Sequence, residues 1–253
     1  MVWTIKENDL LTAIIKGSIS EINQAIQNGA NVNAKDNGGW TPLMFACAKK
    51  ASKEVIELLI AKGANVNAKS KDGWTPLMLA CVKKASKEVI KLLIAKGANV
   101  NAKDNAGWTP LMFACANKAS KEVIKLLIAK GAKVKAKTNG GWTPLLVAAY
   151  NKASKEVIEL LIAKGADVNA KNNDGWTPLM IAADNKASEE LIELLKQAPF
   201  TALKADLEKS KQENANLKQK IDEQNAQIAY NNFQAKKKEK QRMTNLMLGK
   251  YRH

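Results

Sequence analysis

Histidine is all but missing from this chain of 253 residues: the one copy, His253, is the last residue. A Ser-His-Asp or Cys-His catalytic group therefore has no positioned imidazole. Cysteine is scarce too, with only Cys47, Cys81 and Cys115. A zinc site needs about four converging Cys, His or carboxylate ligands, and none cluster in the sequence. No Gly-rich loop followed by Lys-Ser or Lys-Thr is present to cradle a phosphate. Long apolar runs are absent as well. Val55 to Ala61 is among the longest, and it falls far below the roughly 18 residues that span a bilayer. The first residues lack a basic segment followed by an apolar one, so no secretory signal is expected. These absences point away from an enzyme and from any metal or cofactor. Free thiols suit a reducing cytosol. A cytoplasmic location is expected, with a nuclear one, or delivery as a secreted effector, left open.

What the chain has in plenty is repetition. Gly-Trp-Thr-Pro-Leu occurs five times, with Trp40, Trp74, Trp108, Trp142 and Trp176 each 34 residues after the last. A strict period of this length signals a stacked array of small units. The cysteines are also 34 apart, and Ala149 and Ala183 fill the same slot in the next two repeats. That slot therefore calls for a small buried residue. Neighbouring repeats should hold the thiols beyond the Cα separation of about 7 Å that a disulfide tolerates.

The run from Trp74 to Gly97 shows how one repeat is built. Thr75 is a good N-cap and Pro76 suits the first helical position. Leu77, Ala80 and Cys81 then face inward from a short helix. Lys83-Lys84-Ala85 is a polar break, after which Ser86 caps a second helix with Glu88 in its first turn. Val89, Ile90, Leu92, Leu93 and Ile94 give that helix a broad apolar face. Gly97 supplies a left-handed residue to end it, and Ala98 to Gly107 is a turn-rich connector.

Thr-Pro-Leu, the Ala-rich first helix, Glu-Val-Ile-x-Leu-Leu-Ile and Gly-Ala-Asn-Val-Asn-Ala together resemble the ankyrin repeat, over about residues 5 to 198 in six units. The resemblance implies an all-α solenoid of helix-turn-helix repeats with β-turn fingers. It also implies partner binding through the finger tips and the concave face of the first helices. Two departures from the family pattern stand out. The usual His after Thr-Pro-Leu is Met44, Met78, Met112, Leu146 and Met180 here, so apolar contact must hold those helix starts. The loop at Lys49-Lys50-Ala51-Ser52 is one residue longer than the usual Gly-His turn, which gives the period of 34.

The ends of the array read as caps. Glu21 and Gln24 replace Val55 and Leu58 on a face with no preceding neighbour. Lys196 replaces Ile60, Ile94, Ile128 and Ile162, and Pro199 stands where a finger would begin. The expected layout is a capping repeat at about 5–38, full repeats over 39–175, and a terminal capping repeat at 176–198. A heptad-patterned helix over 199–235 and a basic tail over 236–253 follow. The heptad a positions are Phe200, Leu207, Asn214, Ile221, Ile228 and Ala235, and the d positions are Leu203, Ser210, Leu217, Gln224 and Asn231, an imperfect seam over about five heptads. In a parallel pair Asp206 would face Lys211, and Glu213 would face Lys218. Leu203, Leu207, Asn214, Leu217, Ile221 and Ile228 are thus the oligomerisation candidates. The alternative is a solvated helix folded back on the last repeat, or a coil completed by another protein.

The chain carries a formal charge of +16. The array through Ala198 is strongly basic, the heptad segment is neutral, and the tail from Lys236 holds seven Lys or Arg against one Glu. Lys237-Lys238-x-Lys240 fits a short nuclear-localisation pattern, and such a tail can also contact phosphates or anionic lipid. Candidate partner-binding residues are Trp40, Trp74, Trp108, Trp142 and Trp176, with Val82, Lys83 and Tyr150 at the ends of first helices. The indoles suit two compatible roles, packing between fingers and direct contact. The fourth repeat's finger adds Lys133, Lys135 and Lys137 in place of Asn-rich sequence. Alternate residues on an extended strand share a face, so the three lysines are expected to line one side of the central finger. Two functions remain open. One is a protein-binding scaffold with an assembling helix, including a homo-oligomer through residues 200–235. The other is a binder of nucleic acid or an acidic surface, using the central lysines and the tail.

Overall fold

The computed structural model describes residues 3–250; the side chains of 199–206, 209, 229, 241 and 244–250 lie outside that description. The described residues form twelve α-helices. The chain divides into two units, Met1–Pro199 and Phe200–His253.

The first unit opens with α1 (Ile5–Lys16) and α2 (Ile19–Gln27). Five seven-residue helices follow, each starting at a proline: α3 (Pro42–Ala48), α5 (Pro76–Val82), α7 (Pro110–Ala116), α9 (Pro144–Tyr150) and α11 (Pro178–Asp184). Nine-residue partners alternate with them: α4 (Lys53–Ala61), α6 (Lys87–Ala95), α8 (Lys121–Ala129) and α10 (Lys155–Ala163). The partner of α11 is the start of α12 (Glu189–Lys250). First helices pack on first helices and second helices on second helices, each against its own kind one repeat away.

Local chemistry sets the starts of these five short helices. Thr41, Thr75, Thr109, Thr143 and Thr177 each accept a bond from the backbone N–H three residues on. Proline follows as the first helical residue, where no N–H is needed. The residues that replace the family's histidine hold the helix starts by burial: Met44, Met78, Met112 and Leu146 are fully buried. At Thr75 the Met78 sulfur also accepts the threonine N–H, at 3.4 Å. Met180, with no further repeat beside it, is 48% exposed. The long loop that follows each of these five helices contains a left-handed lysine. Lys50, Lys84, Lys118, Lys152 and Lys186 have φ between 50° and 57°, a region glycine tolerates far better.

Burial follows the repeat. Leu43, Leu77, Leu111 and Leu145 are fully buried, as are Ile56, Ile90, Ile124 and Ile158. Cys47, Cys81 and Cys115 are free thiols buried in the same core. Burial pushes the Cys47 and Cys115 thiols up to about 12, and pushes Cys81 higher still. The N-terminal cap is tied down by Glu7, whose carboxylate accepts from the Thr4 hydroxyl and, at 3.1 Å, from the Asn31 N–H. Glu21 and Gln24 are exposed, as a capping face requires. At the other end Leu191, Leu195 and Ala198 close the core while Lys196 stays in solvent.

The fingers are joined by hydrogen bonds that recur at the repeat length. The backbone N–H groups of Lys71, Asn105, Asn139 and Asn173 each donate to a carbonyl at the preceding finger tip. Gly39, Gly73, Gly107 and Gly141 sit at these crossings with positive φ, and a Cβ there would lie 2.5–3.0 Å from the next finger. A second ladder runs along the finger bases. The side chains of Asn33, Asn67 and Asn101 donate to the carbonyls of Gly63, Gly97 and Gly131 at 2.8 Å. The same three side chains accept from the N–H groups of Asn65, Asn99 and Lys133.

In the second unit α12 stays helical to Lys250, past the expected helix end at residue 235 and through most of the basic segment. Its Leu207, Leu217, Ile221 and Ile228 are 54%, 57%, 48% and 57% exposed, and Asn214 is exposed beside them. The side chains of Leu203, Phe200 and Asp206 lie outside the described residues.

Candidate functional site

Each of the five repeat tryptophans follows a tight turn whose geometry the sequence fixes. In the first finger Asp36 accepts from the N–H groups of Gly38 and Trp40, both at 2.8 Å. Ser70, Asp104, Thr138 and Asn172 bond in the same way to Trp74, Trp108, Trp142 and Trp176. A small side chain with one acceptor oxygen suffices, which is why four residue types serve. The turn holds each of these indoles one residue before the threonine that caps the first helix of its repeat. Trp40, Trp74, Trp108 and Trp142 are half-buried there and pack on the core; Trp176 is 36% exposed. The indoles thus support the stack and keep an accessible edge.

The aromatic partners of these indoles change along the array. Phe113 lies between two of them, 4.6 Å from Trp74 and 5.2 Å from Trp108 by ring centroids. Trp142 meets Tyr150 edge to face, at 5.5 Å and 87°. Two clefts open on this face. One, of about 330 Å³, is bordered by Trp40, Trp74, Leu79, Val82 and Lys83. The other, of about 160 Å³, is bordered by Trp142, Tyr150, Trp176, Ile181, Asp174 and Asp184. Val82 and Lys83 thus stand beside Trp40 and Trp74, and Tyr150 beside Trp142 and Trp176. Phe113, Leu79 and Ile181 were not singled out from the sequence. They occupy the slot five residues after each Trp, filled elsewhere by Phe45 and Val147, and the variation at that slot was a readable signal.

Lys133, Lys135 and Lys137 border neither cleft. Their segment is a turn rather than the extended strand that the alternation suggested. The Ala136 N–H closes on the Lys133 carbonyl at 3.2 Å, so residue alternation does not place the lysines on a strand face. All three are exposed. The sequence change here also interrupts the finger ladder. Lys135 stands where Asn33, Asn67 and Asn101 bridge adjacent fingers, and an ammonium cannot both donate to Gly165 and accept from Asp167. Lys133 likewise replaces Asn31, Asn65, Asn99 and Asp167, whose side chains accept the N–H two residues on. Another lysine series is orderly: Lys35, Lys69 and Lys103 each reach the carbonyl of the lysine 34 residues later.

Among the described residues, no group of three or more His, Cys, Asp or Glu is placed to hold a metal ion, and no helix is long and apolar enough to cross a membrane. A family model described as ankyrin repeats, in three copies, matches overlapping stretches at residues 10–104, 47–138, 82–172 and 136–209. No curated protein matches the chain. The matched stretches cover the helix-pair array from Leu10 onward, and ankyrin repeats are modules of protein–protein interaction. With its capped helix pairs, bonded fingers and Thr-Pro-Leu helix starts, the chain belongs to the ankyrin-repeat family.

Proposed function

We propose that this chain is a non-enzymatic scaffold whose indole-lined face grips a protein partner and whose long helix brings copies or partners together. One observation carries the reading: five partly accessible tryptophans recur at the repeat spacing, and four of them border two aromatic clefts. Tryptophan and tyrosine in such clefts are the residue types that dominate binding energy at protein interfaces. The helix supports the assembling role. Its exposed Leu207, Leu217, Ile221 and Ile228 are apolar groups that a partner helix would cover at heptad spacing. Joining several arrays raises the apparent affinity for a multivalent partner without adding contacts.

The test has two arms. Trp108→Ala and Tyr150→Ala should abolish capture of the partner while leaving the far-ultraviolet spectrum intact. Mass measurement of the whole protein at micromolar concentration should give a multiple of the chain mass, and Leu217→Lys with Ile221→Lys should return the monomer. A monomeric parent would remove the homo-oligomer.

A second reading rests on Lys133 and Lys135, which stand where bonding asparagines occur in other fingers. They and the basic tail suit an acidic surface or a nucleic acid. Binding that falls steeply between low and physiological salt would favour this reading over the aromatic face.

A further inference from the structure

We infer that the cleft between the fifth and sixth repeats is a socket for one cationic side chain, arginine or lysine, presented by the protein partner. This deepens the scaffold reading and rests on it. Three aromatic residues border the cleft. Trp142 and Tyr150 stand at 87° to each other with centroids 5.5 Å apart, forming two perpendicular walls, and Trp176 forms a third. Tyr150 is 54% exposed, so the ring is open to a ligand. Aromatic faces attract cations, most strongly when the cation is partly withdrawn from water.

Two carboxylates share this cleft. Asp174 is held by Asn172, which is 6% exposed. The Asn172 amide donates to Asp174 Oδ2 at 3.2 Å, and its Oδ1 accepts the N–H groups of Asp174 and Trp176 at 3.1 and 2.9 Å. One buried side chain thus positions both a carboxylate and an indole. Asp184 is the last residue of α11. A carboxylate at a helix C-terminus opposes the helix dipole, and none of the described ion pairs supplies Asp184 with a cation. A ligand cation would remove that conflict.

The repeat pattern shows how local this charge is. The Asp174 position is Gly38, Asp72, Ala106 and Gly140 in the other fingers, and the Asp184 position is Ala48, Val82, Ala116 and Tyr150. Only the last of the five Trp repeats carries both acids. The corresponding cleft beside Trp40 and Trp74 is bordered by both Asp72 and Lys83, one charge of each sign. On a chain of formal charge +16, one aromatic cleft is acidic. A long basic segment would be repelled by the surrounding surface, whereas a single positive side chain on a neutral or acidic segment would not.

The test uses the full chain with indole N–H signals followed by nuclear magnetic resonance. The probes are N-acetyl-arginine amide, N-acetyl-lysine amide and N-acetyl-citrulline amide, the last being a neutral isostere of arginine. The two cationic probes should shift Trp142 and Trp176 selectively at millimolar concentration, and citrulline should not. Asp174→Asn with Asp184→Asn preserves shape and should weaken the cation response about tenfold. Equal shifts from citrulline, shifts spread over all five repeat indoles, no shift from either cation, or full retention in the double variant would overturn the socket. Failure here with partner capture still lost in Trp108→Ala would leave the scaffold reading standing. Capture unaffected by Trp108→Ala and Tyr150→Ala would remove the scaffold reading itself.

Discussion

Lys135 offers a direct measure of what the finger ladder contributes. Asparagine at this position would restore a bond from its Nδ2 to the Gly165 carbonyl and one from the Asp167 N–H to its Oδ1. The equivalent bonds of Asn101 measure 2.8 and 2.9 Å. Both are solvent-exposed, so each belongs at the low end of the usual net range, about 0.5 kcal/mol. What the lysine gives up in return is small: its stem only approaches Gly165, with Cε 4.0 Å from where a Cβ would stand. Lys135→Asn should therefore stabilise the array by about 1 kcal/mol, and the reverse change Asn101→Lys should cost a similar amount. In a unit of this size that corresponds to about 2–4 °C in the unfolding midpoint. Urea titration followed by circular dichroism checks both, with the slope expected to stay constant. If both variants fall within the roughly 0.5 kcal/mol scatter of ordinary surface changes, the ladder is a geometric consequence of stacking and not a source of stability.

Other perturbations follow from the same geometry. Lys118→Gly should stabilise by about 1 kcal/mol, because φ is 51° at that residue and a Cβ is strained there; a thermal melt no higher than the parent's would contradict this. Gly107→Ala should cost more than about 2 kcal/mol, since the new methyl would sit 2.9–3.0 Å from the next finger. Gly175→Ala shares the positive φ but has nothing within 4 Å, so about 1 kcal/mol is expected; equal costs would show that close approach is irrelevant. Glu7→Gln should lower stability by about 1 kcal/mol at neutral pH. The Thr4 hydroxyl, then the Asn31 N–H, hold the Glu7 carboxyl below its usual range. Its stabilisation is therefore complete above that range and is lost as pH falls through the lowered folded value. Parent and variant stabilities should converge on acidification.

The array was legible because each repeat solves the same local problem with the same residues. Thr and Pro start the first helix, Ser starts most second helices, and Gly ends the second helix; these choices act within a few residues. Glu21, Gln24 and Lys196, which break an apolar series at known positions, are exposed. The cleft at Trp142 was harder to read. Its walls come from residues 34 apart, and their meeting depends on how one repeat rests on the next. The Lys133 turn was misread because alternation alone cannot distinguish a strand from a turn closed by one backbone bond. The helix running to Lys250 crosses a segment whose like charges argue for solvation, yet Lys, Glu, Gln and Arg are all good helix formers.

The buried thiols have a consequence in time. Cys47, Cys81 and Cys115 lie in three successive repeats, each sealed in the core and held protonated at neutral pH. Sulfur reacts as the thiolate, so an oxidant or alkylating reagent must wait until a repeat opens. The next repeat has Ala149 at that place and the last has Ala183. Chemical damage to sulfur in this slot thus records every opening of the second to fourth repeats and none of the fifth or sixth. The array ages unevenly, and the rate at which each thiol is lost is a clock for the repeat that holds it.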